Sequence, residues 1–304
     1  MPSRLHESFA YVVPRLRKAR EMDDEPAERA RVEGWHRGLD RALPTRAVPG
    51  FARRFSVITE ELGPPGATFA SYVLTPRRRP PTRTLVYVHG GGFMAPTDPF
   101  HVRYATRLAD ALGARVVLPD YPLAPEHTWR DSFEALTELT ARWAGAPGGA
   151  VLAGDSAGGG YALALGLALR DRGGPQPTHL LLHSPWVDLT MSAPGTAERD
   201  AVDPWLFLGK ATAYAAWWAG PPDDLARPEV SPGLADLSGL PPALMFYGTR
   251  DLLAPGCDVL VRRASEAGWD LTTVVEPDAL HVYSLMPLLP EARRAFRRTV
   301  AWLR

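Results

Sequence analysis

The sequence predicts an α/β chain built around a mainly parallel central sheet flanked by helices. Short apolar runs of strand length recur at 84–88, 115–118, 150–153, 179–182, 243–247 and 271–275. Helical stretches separate most of them, at 105–112, 132–143, 157–169 and 257–267. Apolar strands alternating with helices imply βαβ units, whose crossover helices cover both faces of a parallel sheet.

Taken in order, residues 1–50 are charged and mostly helical in character, interrupted by Pro14, Pro26 and Pro44. Strand-like segments open at 55–58 and 68–73, and the alternation follows until a final helix from Pro290. One stretch breaks the pattern. Residues 188–232 are rich in Pro, Trp and Ala and read as an insertion over the site. Ligands of parallel sheets sit beyond the carboxyl ends of the strands, so chemistry is expected in the loops leaving Val88, Ala153, Tyr247 and Val275. No internal repeat and no low-complexity tract is present.

Bulk properties narrow the classes. A chain of 304 residues can bury a large core, and 45% apolar with 22% charged residues suits a globular protein. Thirty-four basic residues balance 34 acidic ones, so no concentrated surface for nucleic acid is implied. Cys257 is the single cysteine, which excludes an intrachain disulfide and argues against a cysteine-based metal site. The N-terminal stretch carries Arg15, Arg17, Lys18 and Arg20 and leads into no apolar run of signal-peptide or membrane-spanning length. A soluble, cytoplasmic protein without a membrane span is expected.

Gly154-Asp155-Ser156-Ala157-Gly158-Gly159 lies between a predicted strand and a predicted helix and matches the G-x-S-x-G turn. Small neighbours leave room for the backbone to approach a serine held on a tight turn. The helix that starts after Ser156 sets N–H groups and a positive dipole end beside any negative charge that develops there. A turn that only packs is the plainer reading. A phosphate loop is disfavoured, because the Gly-Lys-Ser/Thr ending is missing.

His89-Gly90-Gly91-Gly92-Phe93 follows directly on the strand at 84–88. Glycines there let N–H groups face a cavity without side chains in the way, each such donor contributing about 3–4 kcal/mol to an oxyanion transition state. Gly91, Gly92 and Ala157 are the expected donors, with His89 orienting the loop.

A serine is a weak nucleophile without an imidazole to take its proton. The order Ser, acid, His along the chain leaves His179, His183 and His281 as candidates. His179 and His183 flank a strand run, whereas His281 sits in the loop between the last strand and the last helix. For the acid, Asp251 follows the strand at 243–247. Asp258 and Asp278 compete, the first inside a predicted helix and the second in a turn close to His281. Asp251 is the choice, with the task of holding the imidazole tautomer.

On these residues the chain resembles the hormone-sensitive-lipase-like family of bacterial esterases and lipases, of the α/β-hydrolase fold. The resemblance runs from about residue 55 to the end. It also rests on Asp120-Tyr121-Pro122-Leu123-Ala124-Pro125-Glu126-His127, on 184–190, on 238–242 and on 278–282. It implies a Ser156–His281–Asp251 triad and an oxyanion hole from Gly91, Gly92 and Ala157. It further implies a helical cap made from residues 1–50 and the insertion 188–232, over a catalytic domain in two parts, 51–187 and 233–304. Members cleave short to medium acyl esters without a cofactor, so no cofactor or metal is expected, and the expected partner is a small-molecule ester. Two departures stand out. Pro122 replaces an arginine usual in the family, so its ion pair with Glu126 is absent or replaced. Met94-Ala95-Pro96-Thr97-Asp98 stands where a glycine-serine pair is common.

Trp205, Phe207, Tyr214, Trp217 and Trp218 cluster in the insertion, equally suited to walling a pocket or to packing. Charges at Arg29 to Glu33 read as a solvated helix face, and Arg77-Arg78-Arg79 before Pro80-Pro81 as an exposed loop. A rival reading keeps the site and changes the acceptor: a deacetylase, amidase or acyltransferase for a secondary metabolite. A ligand-binding protein that has lost catalysis is a third, disfavoured because every triad residue type is present. A homodimer is compatible with the sequence, which leaves oligomeric state open.

Overall fold

The computed structural model describes residues 2–16 and 20–304, so Arg17 and Lys18 of the basic N-terminal stretch lie outside the described residues. The sheet contains β1 (Phe55–Leu62), β2 (Phe69–Pro76), β3 (Arg83–Val88), β4 (Ala114–Pro119), β5 (Ala150–Asp155), β6 (His179–His183), β7 (Ala243–Gly248) and β8 (Leu271–Glu276). Their spatial order is β1-β2-β4-β3-β5-β6-β7-β8. β2 runs antiparallel to both β1 and β4, and every other neighbouring pair is parallel.

Alternate residues of the central strands feed two cores, which is why these runs lack polar alternation. Val86, Val88, Leu152, Leu180, Leu182 and Met245 pack on one face. Leu85, Tyr87, Val151, Ala153, Leu181 and Leu244 pack on the other. The helices are α1 (Arg4–Leu16), α2 (Glu25–His36), α3 (Phe51–Arg54), α4 (Pro99–Leu112), α5 (Phe133–Ala144), α6 (Ser156–Asp171), α7 (Thr196–Asp200), α8 (Leu208–Ala219), α9 (Ala254–Glu266) and α10 (Pro290–Trp302).

Helix starts depart most from the sequence reading. α4 begins at Pro99 rather than near Ala105, because Asp98 accepts the N–H groups of Phe100 (2.7 Å) and His101 (3.3 Å) while His101 Nδ1 accepts the Asp98 N–H. α9 begins at Ala254, with Pro255 in its first turn. Pro26 does not interrupt a helix; it opens α2 behind the Asp24 cap. Pro14 sits inside α1 near its end.

Segment 188–232 packs on the N-terminal helices. Tyr214 and the Lys210 ammonium both reach Glu28, and Trp217 Nε1 donates to Glu25 (2.6 Å). Burial alone would raise the Glu28 carboxyl, but Arg31, Tyr214 and Lys210 outweigh it and bring the group down to about 2. Among the described residues no helix is long and apolar enough to cross a membrane.

Candidate active site

β5 ends at Asp155 and α6 begins at Ser156, whose φ of 51° is left-handed. A non-glycine residue held there stores about 1–3 kcal/mol of backbone strain. Gly158 permits the tight turn: a Cβ on it would lie 2.3 Å from the carbonyl oxygens of both Val88 and His89. Asp155 ties this turn to the loop after β3. Its carboxylate accepts the Tyr87 hydroxyl (2.7 Å), the Gly90 N–H (3.1 Å) and His101 Nε2 (3.3 Å). Burial opposes that charge, but His101, Tyr87 and His183 prevail and hold the carboxyl at about 2.

His281 lies beyond β8 and Asp251 beyond β7. His281 Nε2 stands 2.9 Å from the Ser156 hydroxyl, and Nδ1 stands 2.9 Å from Asp251 Oδ2. A carboxylate only accepts, so in the neutral ring Nδ1 carries the proton and Nε2 accepts from Ser156. Asp251 is fully buried, and its second oxygen accepts the Leu253 N–H at 2.9 Å. Burial works against a charged imidazole, yet Asp251, then Asp203 and Asp155, raise His281 above the ordinary histidine value. The His281 loop is braced on both sides: the Leu280 N–H donates to His6 Nε2 (3.0 Å) and the Val282 N–H to Ser184 Oγ (3.0 Å).

The competing groups lie elsewhere. Asp258 sits in α9 and accepts the Tyr247 hydroxyl at 2.5 Å. Asp278 is exposed in a turn. His179 and His183 end β6, with His183 Nδ1 against Ser284 Oγ (2.8 Å).

Gly91 adopts φ 118°, a conformation closed to side-chain-bearing residues, and lines the same cleft as Gly92, Ser156 and His281. Ala157 is buried in the first turn of α6. Among the described residues, no protein acceptor takes the N–H groups of Gly91, Gly92 or Ala157. His89 stacks on Tyr121 (4.3 Å between ring centroids), and its Nδ1–H donates to the Gly90 carbonyl (2.9 Å). Burial lowers it to about 4, so it is a neutral brace for the loop.

The pairing left open by Pro122 is replaced from far along the chain. His36 of α2 sets Nδ1 against Glu126 (2.8 Å) and Nε2 against the Met94 carbonyl (2.8 Å). Arg41 binds the buried Asp120 carboxylate (2.7 Å) and the carbonyls of Asp120 and Tyr121. Neither residue stands out in the sequence. Nothing local marks them, and their partners lie 58 to 90 residues away.

These elements enclose a cleft of about 1030 Å³. The insertion aromatics divide. Trp205, Phe207 and Tyr214 line the cleft, with Trp205 edge-on to His281 at 5.8 Å. Trp217 and Trp218 pack, Trp218 stacking on Phe93 at 4.4 Å. The run Arg29 to Glu33 is only partly a solvated face. Arg29 and Glu33 pair in solvent, but Arg31 turns to the buried Glu28 and the cleft wall. Among the described residues no group of three or more His, Cys, Asp or Glu could hold a metal ion. The arrangement can move a proton from a serine hydroxyl to an imidazole backed by a carboxylate.

Comparison with known proteins agrees with this fold. Residues 85–285 match a family described as the α/β-hydrolase fold. An acetyl-hydrolase of Streptomyces hygroscopicus is 35% identical over 227 residues, covering 73% of this chain and 75% of its own. The carboxylesterase NlhH of Mycobacterium tuberculosis is 34% identical over 232 residues, 72% of each chain. A crystal structure of an esterase from the bacterial hormone-sensitive lipase family superposes with a TM-score of 0.78 at 29% identity, over 100% of this chain and 99% of that one.

Proposed function

The chain belongs to the α/β-hydrolase family, in its hormone-sensitive-lipase-like branch of esterases, and we propose that it is a serine carboxylesterase cleaving short to medium acyl esters through an acyl-serine intermediate. Ser156 attacks the ester carbonyl as His281 takes its proton, and Asp251 holds the ring and stabilises the imidazolium. The N–H groups of Gly91, Gly92 and Ala157 receive the oxyanion. The alcohol departs with the proton from His281. Water then repeats the path and frees the acid.

The observation that carries this reading is the unbroken path from Asp251 through His281 to Ser156, with 2.9 Å at each step. A largely apolar cleft above it suits an acyl chain, and we read 1–50 with 188–232 as its cap. A single cysteine fits the cytoplasmic setting we assign it, and the likeness to esterases supports a small-molecule ester as its partner. The test is Ser156→Ala with p-nitrophenyl acetate, for which kcat should fall by about 10⁴ or more. Near-normal hydrolysis by the variant would remove Ser156 from its role.

A further inference from the structure

Asp203, in the segment between α7 and α8, is a buried carboxylate that the mechanism above does not use. Its Oδ1 accepts the N–H groups of Trp205 (2.8 Å) and Leu206 (3.1 Å), and its Oδ2 accepts that of Leu252 (2.8 Å). Leu252 directly follows Asp251, and Trp205 is the ring set edge-on against His281. One carboxylate therefore joins the wall over the imidazole to the loop that carries the acid.

We propose that Asp203 is a positioning residue for the reaction, locking Trp205 and the Asp251 loop into one unit around His281 and adding a second negative charge beside that ring. The proposal rests on the Ser156–His281–Asp251 reading. Among the described residues no lysine or arginine pairs with Asp203. The guanidinium of Arg250, which directly precedes Asp251, is occupied by the Val202 carbonyl and by Glu7. A buried carboxylate beside a second one is costly unless charge of opposite sign arrives. Burial, together with Asp251, pushes Asp203 up to about 6, consistent with that cost. The imidazolium formed at His281 during attack supplies the missing charge. The charged groups acting on His281 are then Asp251, Asp203 and Asp155. Asp200 is turned to the Leu208 N–H.

Asp203→Asn is the direct test. Its amide oxygen can keep the Trp205 and Leu206 N–H groups, whereas its NH₂ meets the Leu252 N–H donor to donor, and the charge is gone. Asp203→Ser, uncharged and smaller, serves as a second variant, and circular dichroism establishes that each is folded. With p-nitrophenyl acetate, kcat should fall about 10- to 100-fold with KM changed less. The acid limb of the kcat/KM profile should move to lower pH by roughly 0.5–1 unit, because a negative neighbour of the imidazolium has been removed. A folded variant with the wild-type limb and a near-wild-type kcat would overturn the proposal. Failure of both variants to fold would also overturn it, by making Asp203 a residue of the fold. Ser156→Ala measured alongside separates the two readings: activity there sinks the triad itself, whatever Asp203 does.

Discussion

Replacing Asp251 by asparagine changes one atom in a fully buried site, and the surrounding hydrogen bonds dictate the consequence. Asp251 accepts the Leu253 N–H on one oxygen and His281 Nδ1 on the other, both at 2.9 Å. Asparagine must turn its carbonyl to Leu253, since an NH₂ there would leave two buried donors facing each other at a cost of about 1–3 kcal/mol. Its NH₂ then faces Nδ1, which must accept, and the ring proton moves to Nε2. A protonated Nε2 cannot take the Ser156 proton. The charge is lost as well: an imidazolium and a carboxylate about 4 Å apart attract by about 4 kcal/mol at an effective dielectric near 20. That alone is about three decades of rate. With the wrong tautomer added, kcat for p-nitrophenyl acetate should fall about 10⁴-fold. Thermal melting reports whether the fold survives. A loss of less than about tenfold in a folded variant would refute the assignment of Asp251 as the orienting acid.

The pH profile follows from the same ring. His281 is raised above the ordinary histidine value near 6.5, and attack needs the neutral imidazole. Activity should therefore be full above the folded value and be lost as pH falls through it, with a midpoint above 6.5 in kcat/KM; a flat profile between about pH 5 and 8 would contradict His281 as the base. The stability contribution has the opposite sense. It is present below the unfolded value and lost as pH rises through the folded one. Gly158→Ala should be among the most damaging small substitutions, because its Cβ meets two backbone oxygens at 2.3 Å and neither can swing away. A cost of about 3 kcal/mol or more should lower Tm by roughly 5–10 °C in a calorimetric scan, and an unchanged Tm would show that α6 is not pressed against β3 as described.

Legibility in the sequence followed the range of the interactions. The sheet was readable because its strands are buried on both faces and therefore uniformly apolar, as at Leu85, Val86, Tyr87 and Val88. Ser156, Gly91 and Gly92 were readable because tight turns restrict residue type locally, and Asp251 and His281 because strand order fixes which loops meet. The structure brings His281 within hydrogen-bond reach of both Ser156 and Asp251. His6, His36 and Arg41 left no local trace. Each acts on a distant backbone group or carboxylate, His6 across 274 residues of chain, and no periodicity or motif records such a contact. The true start of α4 was signalled by Asp98-Pro99, but His101 and Arg103 interrupt the apolar pattern that would have drawn attention to it.

Reaction with a fluorophosphonate bears most directly on the central claim, since it asks which hydroxyl is activated. Peptide mass mapping should find one adduct, on Ser156, forming in step with the loss of ester hydrolysis. An adduct on another residue, or fully inhibited enzyme with Ser156 unmodified, would contradict the account.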